Sequence, residues 1–193
     1  TLVVAAEYRG STGYGKGHYE KIDYGGREVE DVDSSRKYML DNYEFVDPDR
    51  VGIVGWSHGG LIALMSIFKY PEYYRVAFAG CPVSDLITRL NYMDKDYNNL
   101  YSADYHIGQT TEENPEEYKR RSPAWNVDKL QTPLLIHTNT NDEDVRFIEV
   151  KVLLNALKQA DKEFQYEIFN ELPGGHSFDR QDTKLALTIR MKI

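Results

Sequence analysis

Residues 51–60 read Val51-Gly52-Ile53-Val54-Gly55-Trp56-Ser57-His58-Gly59-Gly60, and this stretch decides the fold. Val51 to Trp56 is an apolar run of strand type, and from Gly59 to Lys69 the apolar residues recur at helical spacing. Between the two stands Gly-x-Ser-x-Gly, in the strand–turn–helix context that this motif requires. A turn of that kind holds the serine at strained backbone angles. Glycines two positions to either side are expected because side chains there would collide with neighbouring elements. The hydroxyl then stands exposed at the C-terminal edge of a sheet, near a helix N-terminus that favours developing negative charge. The bland alternative is a serine in an ordinary glycine-rich turn.

Outward from the motif, short apolar runs alternate with amphipathic helical patterns. Strands are expected at 2–8, 51–56, 76–80, 133–137 and 164–169, and helices at 27–43, 59–69 and 147–160. In the last helix Phe147, Val150, Leu154 and Leu157 share one face. Near-continuous apolar strands alternating with helices predict a mostly parallel sheet covered on both faces. Pro48, Pro71, Pro82, Pro123, Pro133 and Pro173 all fall between elements. From 85 to 128 there is no good strand, and a lid of short helices inserted into a single 1–193 domain is expected. The first residues, Thr1-Leu2-Val3-Val4-Ala5-Ala6, start inside an apolar run, and 184–193 still reads as helix. The chain is therefore expected to be part of a larger protein.

A serine hydroxyl needs a base. Of the five histidines, His18 lies in a glycine-rich loop and His106 in the lid. His58 is locked in the elbow, where its backbone N–H is more useful than its ring. His137 ends a strand as a structural hydrogen-bonder. His176, in Leu172-Pro173-Gly174-Gly175-His176-Ser177, follows the last strand, where loops of such sheets gather active-site residues. In the α/β-hydrolase order the acid lies between serine and histidine. Asn141-Asp142-Glu143-Asp144 fits that place, and position alone leaves Asp142 and Asp144 both open. A carboxylate run before a helix also serves as cap and dipole complement.

Composition narrows the alternatives. The 193 residues carry 23 Lys plus Arg against 31 Asp plus Glu, a net charge of −8, which gives no reason to seek nucleic acid or anionic membranes. No apolar run approaches the ~20 residues of a membrane span. The single cysteine, Cys81, excludes an internal disulfide framework and a cysteine-based zinc site.

The sequence resembles the prolyl oligopeptidase family of serine peptidases, in its dipeptidyl-peptidase and acylaminoacyl-peptidase branches. Tyr8-Arg9-Gly10-Ser11-Thr12-Gly13-Tyr14-Gly15 is similar to the family's arginine-glycine-serine segment. Trp56-Ser57-His58-Gly59-Gly60 resembles its elbow, and Ser122-Pro123-Ala124, Thr132-Pro133-Leu134-Leu135-Ile136-His137 and Gly175-His176-Ser177 also match. The family's aspartate stands three residues before a valine, which the resemblance places on Asp142, counting back from Val145. Tyr97, Tyr101 and Tyr105, followed by Gly108, resemble a segment whose first two tyrosines line the pocket for the residue before the scissile bond, and Val83 matches a further pocket position. Spacing of i, i+4, i+8 is equally what core packing produces. Two departures touch the pocket: Thr138-Asn139-Thr140-Asn141 is about one residue longer than the family pattern, and 87–96 is an insertion.

The expectation is a serine hydrolase in which Ser57 attacks, His176 carries the proton, Asp142 holds the imidazolium and the His58 N–H supplies one oxyanion contact. The resemblance implies a peptide substrate cut near its N-terminus. An α/β-hydrolase carboxylesterase and a catalytically silent binding module are the alternatives. No metal, cofactor, oligomer or compartment is indicated. The portion preceding residue 1 is expected to supply the second oxyanion donor and a strand between 2–8 and 51–56, so those two should not pair directly.

Overall fold

The computed structural model describes residues 2–170 and 175–177. The helix expected at 184–193 lies outside the described residues. Four strands, β1 (Gly52–Trp56), β2 (Val76–Gly80), β3 (Leu134–Asn139) and β4 (Gln165–Phe169), form one parallel sheet in the order β1-β2-β3-β4. Their register aligns Trp56 with Gly80, Gly80 with His137 and Asn139 with Phe169. The C-terminal ends of β1, β2, β3 and β4 therefore lie along one edge of the sheet.

Helices α2 (Glu28–Asn42), α3 (His58–Lys69) and α7 (Phe147–Gln159) pack around this sheet. Alternation chooses the inward face: Ile53, Ala77, Ala79, Leu134 and Ile136 are buried against Leu61, Leu64 and Ile67 of α3 and Leu153 and Leu157 of α7. Small residues in β2 let α3 lie close beneath it. A Cβ on Gly60 would come within 2.8 Å of Pro82.

The 85–128 stretch holds α4 (Leu86–Tyr92), α5 (Lys95–Ser102) and α6 (Pro115–Arg121), then two 3-10 turns at Pro123–Trp125 and Val127–Lys129. Asp85, Asp94 and Asn114 cap α4, α5 and α6 with their side chains, which is why each short helix starts where it does. Earlier in the chain, Lys16–Tyr19 makes a single helical turn, α1, that periodicity did not indicate.

Residues 2–8 depart from expectation because they form no strand. A strand is defined by its ladder, and no ladder joins these residues to β1 among the described residues. The absence of direct pairing with 51–56 is as expected. Residues 2–6 instead face β1 across a groove of about 830 Å³, lined also by Val32, Met39, Phe45 and Ile62. Leu2, Val3 and Val4 stay largely exposed, as does Val54 at 63%.

The elbow glycines divide into two kinds. A Cβ on Gly55 would stand 1.9 Å from the Gly59 carbonyl oxygen, so glycine is obligatory there. A Cβ on Gly59 meets nothing within 4 Å and would point into the groove. The expected collision at Gly59 is thus corrected: among the described residues the flanking crowding belongs to Gly55. Gly55→Ala is expected to destabilise by about 3 kcal/mol, whereas Gly59→Ala should gain about 0.5 kcal/mol from reduced chain entropy. Midpoints of urea unfolding check both.

Candidate active site

Ser57 follows β1 and caps α3, with φ 59° and ψ −121°. Its N–H donates to the Gly80 carbonyl (2.8 Å), and its own carbonyl accepts from Gly60 (2.9 Å) and Val83 (3.1 Å). These bonds, with a further one from the Leu61 N–H to the same carbonyl (3.3 Å), hold the serine in a region that non-glycine residues avoid. Cys81, one residue past β2, is likewise left-handed at φ 40°. Two strained residues thus stand side by side where β1 and β2 end.

His58 is the first residue of α3, so its N–H belongs to the helix-start amides that no intrahelical carbonyl satisfies. Its ring is fixed away from that amide, 3.9 Å from the Tyr24 ring centroid and 3.5 Å from the buried Glu28 carboxylate. Glu28 also accepts from the Gly25 N–H (2.6 Å) and the Gly26 N–H (3.2 Å). Nearby, Arg9 of the arginine-glycine-serine segment grips Asp31 of α2 through Nε and a terminal nitrogen, both at 2.7 Å, and anchors that loop.

Geometry separates the two aspartates. His176 Nδ1 lies 2.8 Å from Asp142 Oδ2. The other oxygen, Oδ1, accepts from the backbone N–H groups of Asp144 (3.0 Å) and Val145 (2.9 Å). Asp142 is 4% exposed. Asp144 turns toward the inserted helices, its side chain half-exposed and one oxygen 3.7 Å from His176 Nε2. The His176 loop is tied down twice, by Trp56 Nε1 donating to the His176 carbonyl (2.9 Å) and Asn139 Nδ2 donating to the Gly175 carbonyl (3.2 Å). The residue preceding Ser57 therefore holds the histidine loop directly. The hydrogen bond to Asp142 raises the His176 pKa above the ordinary histidine value. Burial opposes the shift, and the charges of Asp142 and Asp144 add to it.

Donor atoms of Cys81, Asp142 and His176 all lie within 4.8 Å of one another. Burial first, then the charge of the Asp142 carboxylate, pushes the Cys81 thiol pKa up. The other histidines have structural places. His137 is fully buried between Phe78 and Phe169, while His106 Nε2 accepts from the Tyr24 N–H.

Two pocket expectations are corrected. Tyr101 is 0% exposed and packs among Tyr24, His106 and Tyr118, so it offers no surface to a ligand. Val83 is 2% exposed; only its backbone reaches the site, through the bond to Ser57. The reason is periodicity: on α5 the inward position falls on Tyr101, and the helix ends at Ser102, before Tyr105. Tyr97 is half-buried, its hydroxyl accepting from Arg89 Nε (2.8 Å) and lying 3.3 Å from that of Tyr101. Sequence reasoning passed over Arg89, Tyr92 and Glu149, which surround the Asp144 side of the site. Their contacts with Asp144 and between Tyr92 and Glu149 span 52 to 57 residues, which no local pattern marks.

A model of the prolyl oligopeptidase family matches residues 1–191. The chain is 32% identical over 175 residues to dipeptidyl peptidase 8 of Homo sapiens, covering 87% of this chain and 18% of that protein. It is 29% identical over 168 residues to the acylamino-acid-releasing enzyme of Mus musculus, covering 81% and 22%. The crystal structure of Porphyromonas gingivalis dipeptidyl peptidase 4 superposes with a TM-score of 0.79 at 26% identity, over 95% of this chain and 25% of that one. The chain thus spans about a fifth of the length of these two curated relatives.

Proposed function

The chain belongs to the prolyl oligopeptidase family, and from that premise we propose that it is the catalytic portion of a serine peptidase acting near the N-terminus of peptides. The observation that carries this reading is the His176–Asp142 contact at 2.8 Å, tied to the Ser57 elbow through Trp56. In the proposed reaction Ser57 Oγ attacks the scissile carbonyl and His176 Nε2 takes the hydroxyl proton. His176 Nδ1–H stays bonded to Asp142, which stabilises the imidazolium as it forms. His176 returns the proton to the leaving amine, and water then hydrolyses the acyl-enzyme by the same relay. The His58 N–H, at the start of α3, stabilises the oxyanion. Tyr97 is assigned to the substrate pocket, and no metal or cofactor takes part.

A single N–H makes half an oxyanion hole. A segment of the same protein outside these 193 residues is proposed to occupy the groove beside β1 and bring the second donor. The groove's place along an unpaired strand edge supports this, as does the empty space over Gly59.

The test compares aminoacyl-prolyl amides, acetyl-aminoacyl amides and a p-nitrophenyl ester. Amide hydrolysis is expected. Ester hydrolysis with neither amide cleaved would favour a carboxylesterase, and no turnover at all a silent binding module. Because the base must be neutral and the His176 pKa is raised, the acid limb of the rate profile is expected above the ordinary histidine value of 6.5. A limb below that value would contradict the Asp142 contact.

A further inference from the structure

Arg89 stands on α4, away from the sheet edge, yet is only 3% exposed. Its Nε donates to the Tyr97 hydroxyl (2.8 Å). One terminal nitrogen donates to the Tyr92 hydroxyl and to the Asp144 carbonyl, both at 3.0 Å. The other reaches Asp144 Oδ1 at 3.1 Å. Glu149, fully buried in the first turn of α7, lies 3.7 Å from the fork and accepts from Tyr92 (2.7 Å) and the Ser84 N–H (3.2 Å). A buried guanidinium is costly to desolvate, and here every one of its nitrogens has a partner. The elements drawn together are α4, α5, the loop after β3 and the start of α7.

We propose that Arg89 is a positioning residue, one that locks the 142–146 loop carrying Asp142 to the Tyr97 hydroxyl and holds the Asp144 carboxylate beside the His176 ring. The proposal rests on the assignment of Ser57, Asp142 and His176 made above. Its mechanical half follows from continuity: Arg89 fixes the carbonyl and the carboxylate of Asp144, and the N–H groups of Asp144 and of the next residue, Val145, hold Asp142 Oδ1. Its electrostatic half follows from order. Arg89 occupies Asp144 Oδ1, while Oδ2 lies 3.7 Å from His176 Nε2.

The charged and titratable groups facing His176 are Asp142 and Asp144 on the β3 loop, Cys81 after β2 and Arg89 on α4. The two carboxylates favour the protonated ring and Arg89 opposes it. Glu149 acts one step further out. Burial pushes its pKa up to about 7 against the pull of Arg89.

The experiment measures the rate of fluorophosphonate labelling at Ser57 against pH in the wild type and three variants, with circular dichroism for folding. Asp144→Asn should move the acid limb to lower pH, because a carboxylate near His176 is lost. Arg89→Met should move it to higher pH, because Asp144 is left uncompensated. Arg89→Lys keeps the charge but not the fork, so the limb should stay while the labelling rate falls about tenfold or more from loosened geometry. Loosened packing alone would not displace the limb in opposite directions. If Arg89→Met fails to fold, Asp144→Asn and Arg89→Lys carry the test. An Asp144→Asn limb that stays fixed, Asp144→Asn and Arg89→Met limbs that move together, or an Arg89→Lys labelling rate that is unchanged overturns the proposal while leaving the assignment of Ser57 standing. A wild type that labels at no pH overturns both.

Discussion

Asp142→Asn is expected to lower turnover about 10⁴-fold with the fold intact. The asparagine oxygen can still accept from the Asp144 and Val145 N–H groups, so the loop keeps its shape. Its amide nitrogen then faces His176 Nδ1 across the 2.8 Å contact. A donor facing a donor is untenable, so Nδ1 becomes the acceptor and the ring proton moves to Nε2. A ring in that tautomer cannot take the proton of Ser57. The comparison of kcat for the variant and wild type, with matched circular dichroism, checks this. Losses below tenfold would remove Asp142 from the mechanism.

The 193 residues alone are expected to turn over about 10²–10³-fold more slowly than the full-length protein, the effect of one missing oxyanion donor. The physical argument is the groove between residues 2–6 and β1, which leaves one edge of β1 without a ladder among the described residues. A segment seated there would pair with β1 and approach the space over Gly59. Adding the preceding portion of the protein should restore the rate. Equal activity of the two forms would show that the second donor lies within these residues.

The parts of this site that were legible in the sequence are those with local signatures. Ser57 announced itself because the strained turn demands glycine at Gly55 and a helix immediately after. His176 was reachable by elimination, since the other histidines had ordinary places. Asp142 and Asp144 were not separable by spacing: both stand in one loop, and the direction of a carboxylate is set by backbone amides and by Arg89, not by residue number. The resemblance chose between them, and the geometry places Asp142 against His176. The errors have physical causes too. Residues 2–8 have the composition of a strand, but a strand exists only with a neighbour. Tyr101 and Val83 matched pocket positions, yet burial at 0% and 2% is decided by helix phase and by packing around Ser57. Arg89 was invisible because nothing local distinguishes a buried arginine from a surface one.

The assignment of Ser57, Asp142 and His176 as one catalytic unit is tested most directly by mapping where a fluorophosphonate attaches. Full-length protein is treated with the probe, digested, and the adduct located by mass spectrometry, with Ser57→Ala and His176→Ala in parallel. The expected result is one adduct, on Ser57, absent in the first variant and slowed about 10⁵-fold or more in the second. An adduct on another residue, or labelling of Ser57 at an unchanged rate without His176, would contradict it.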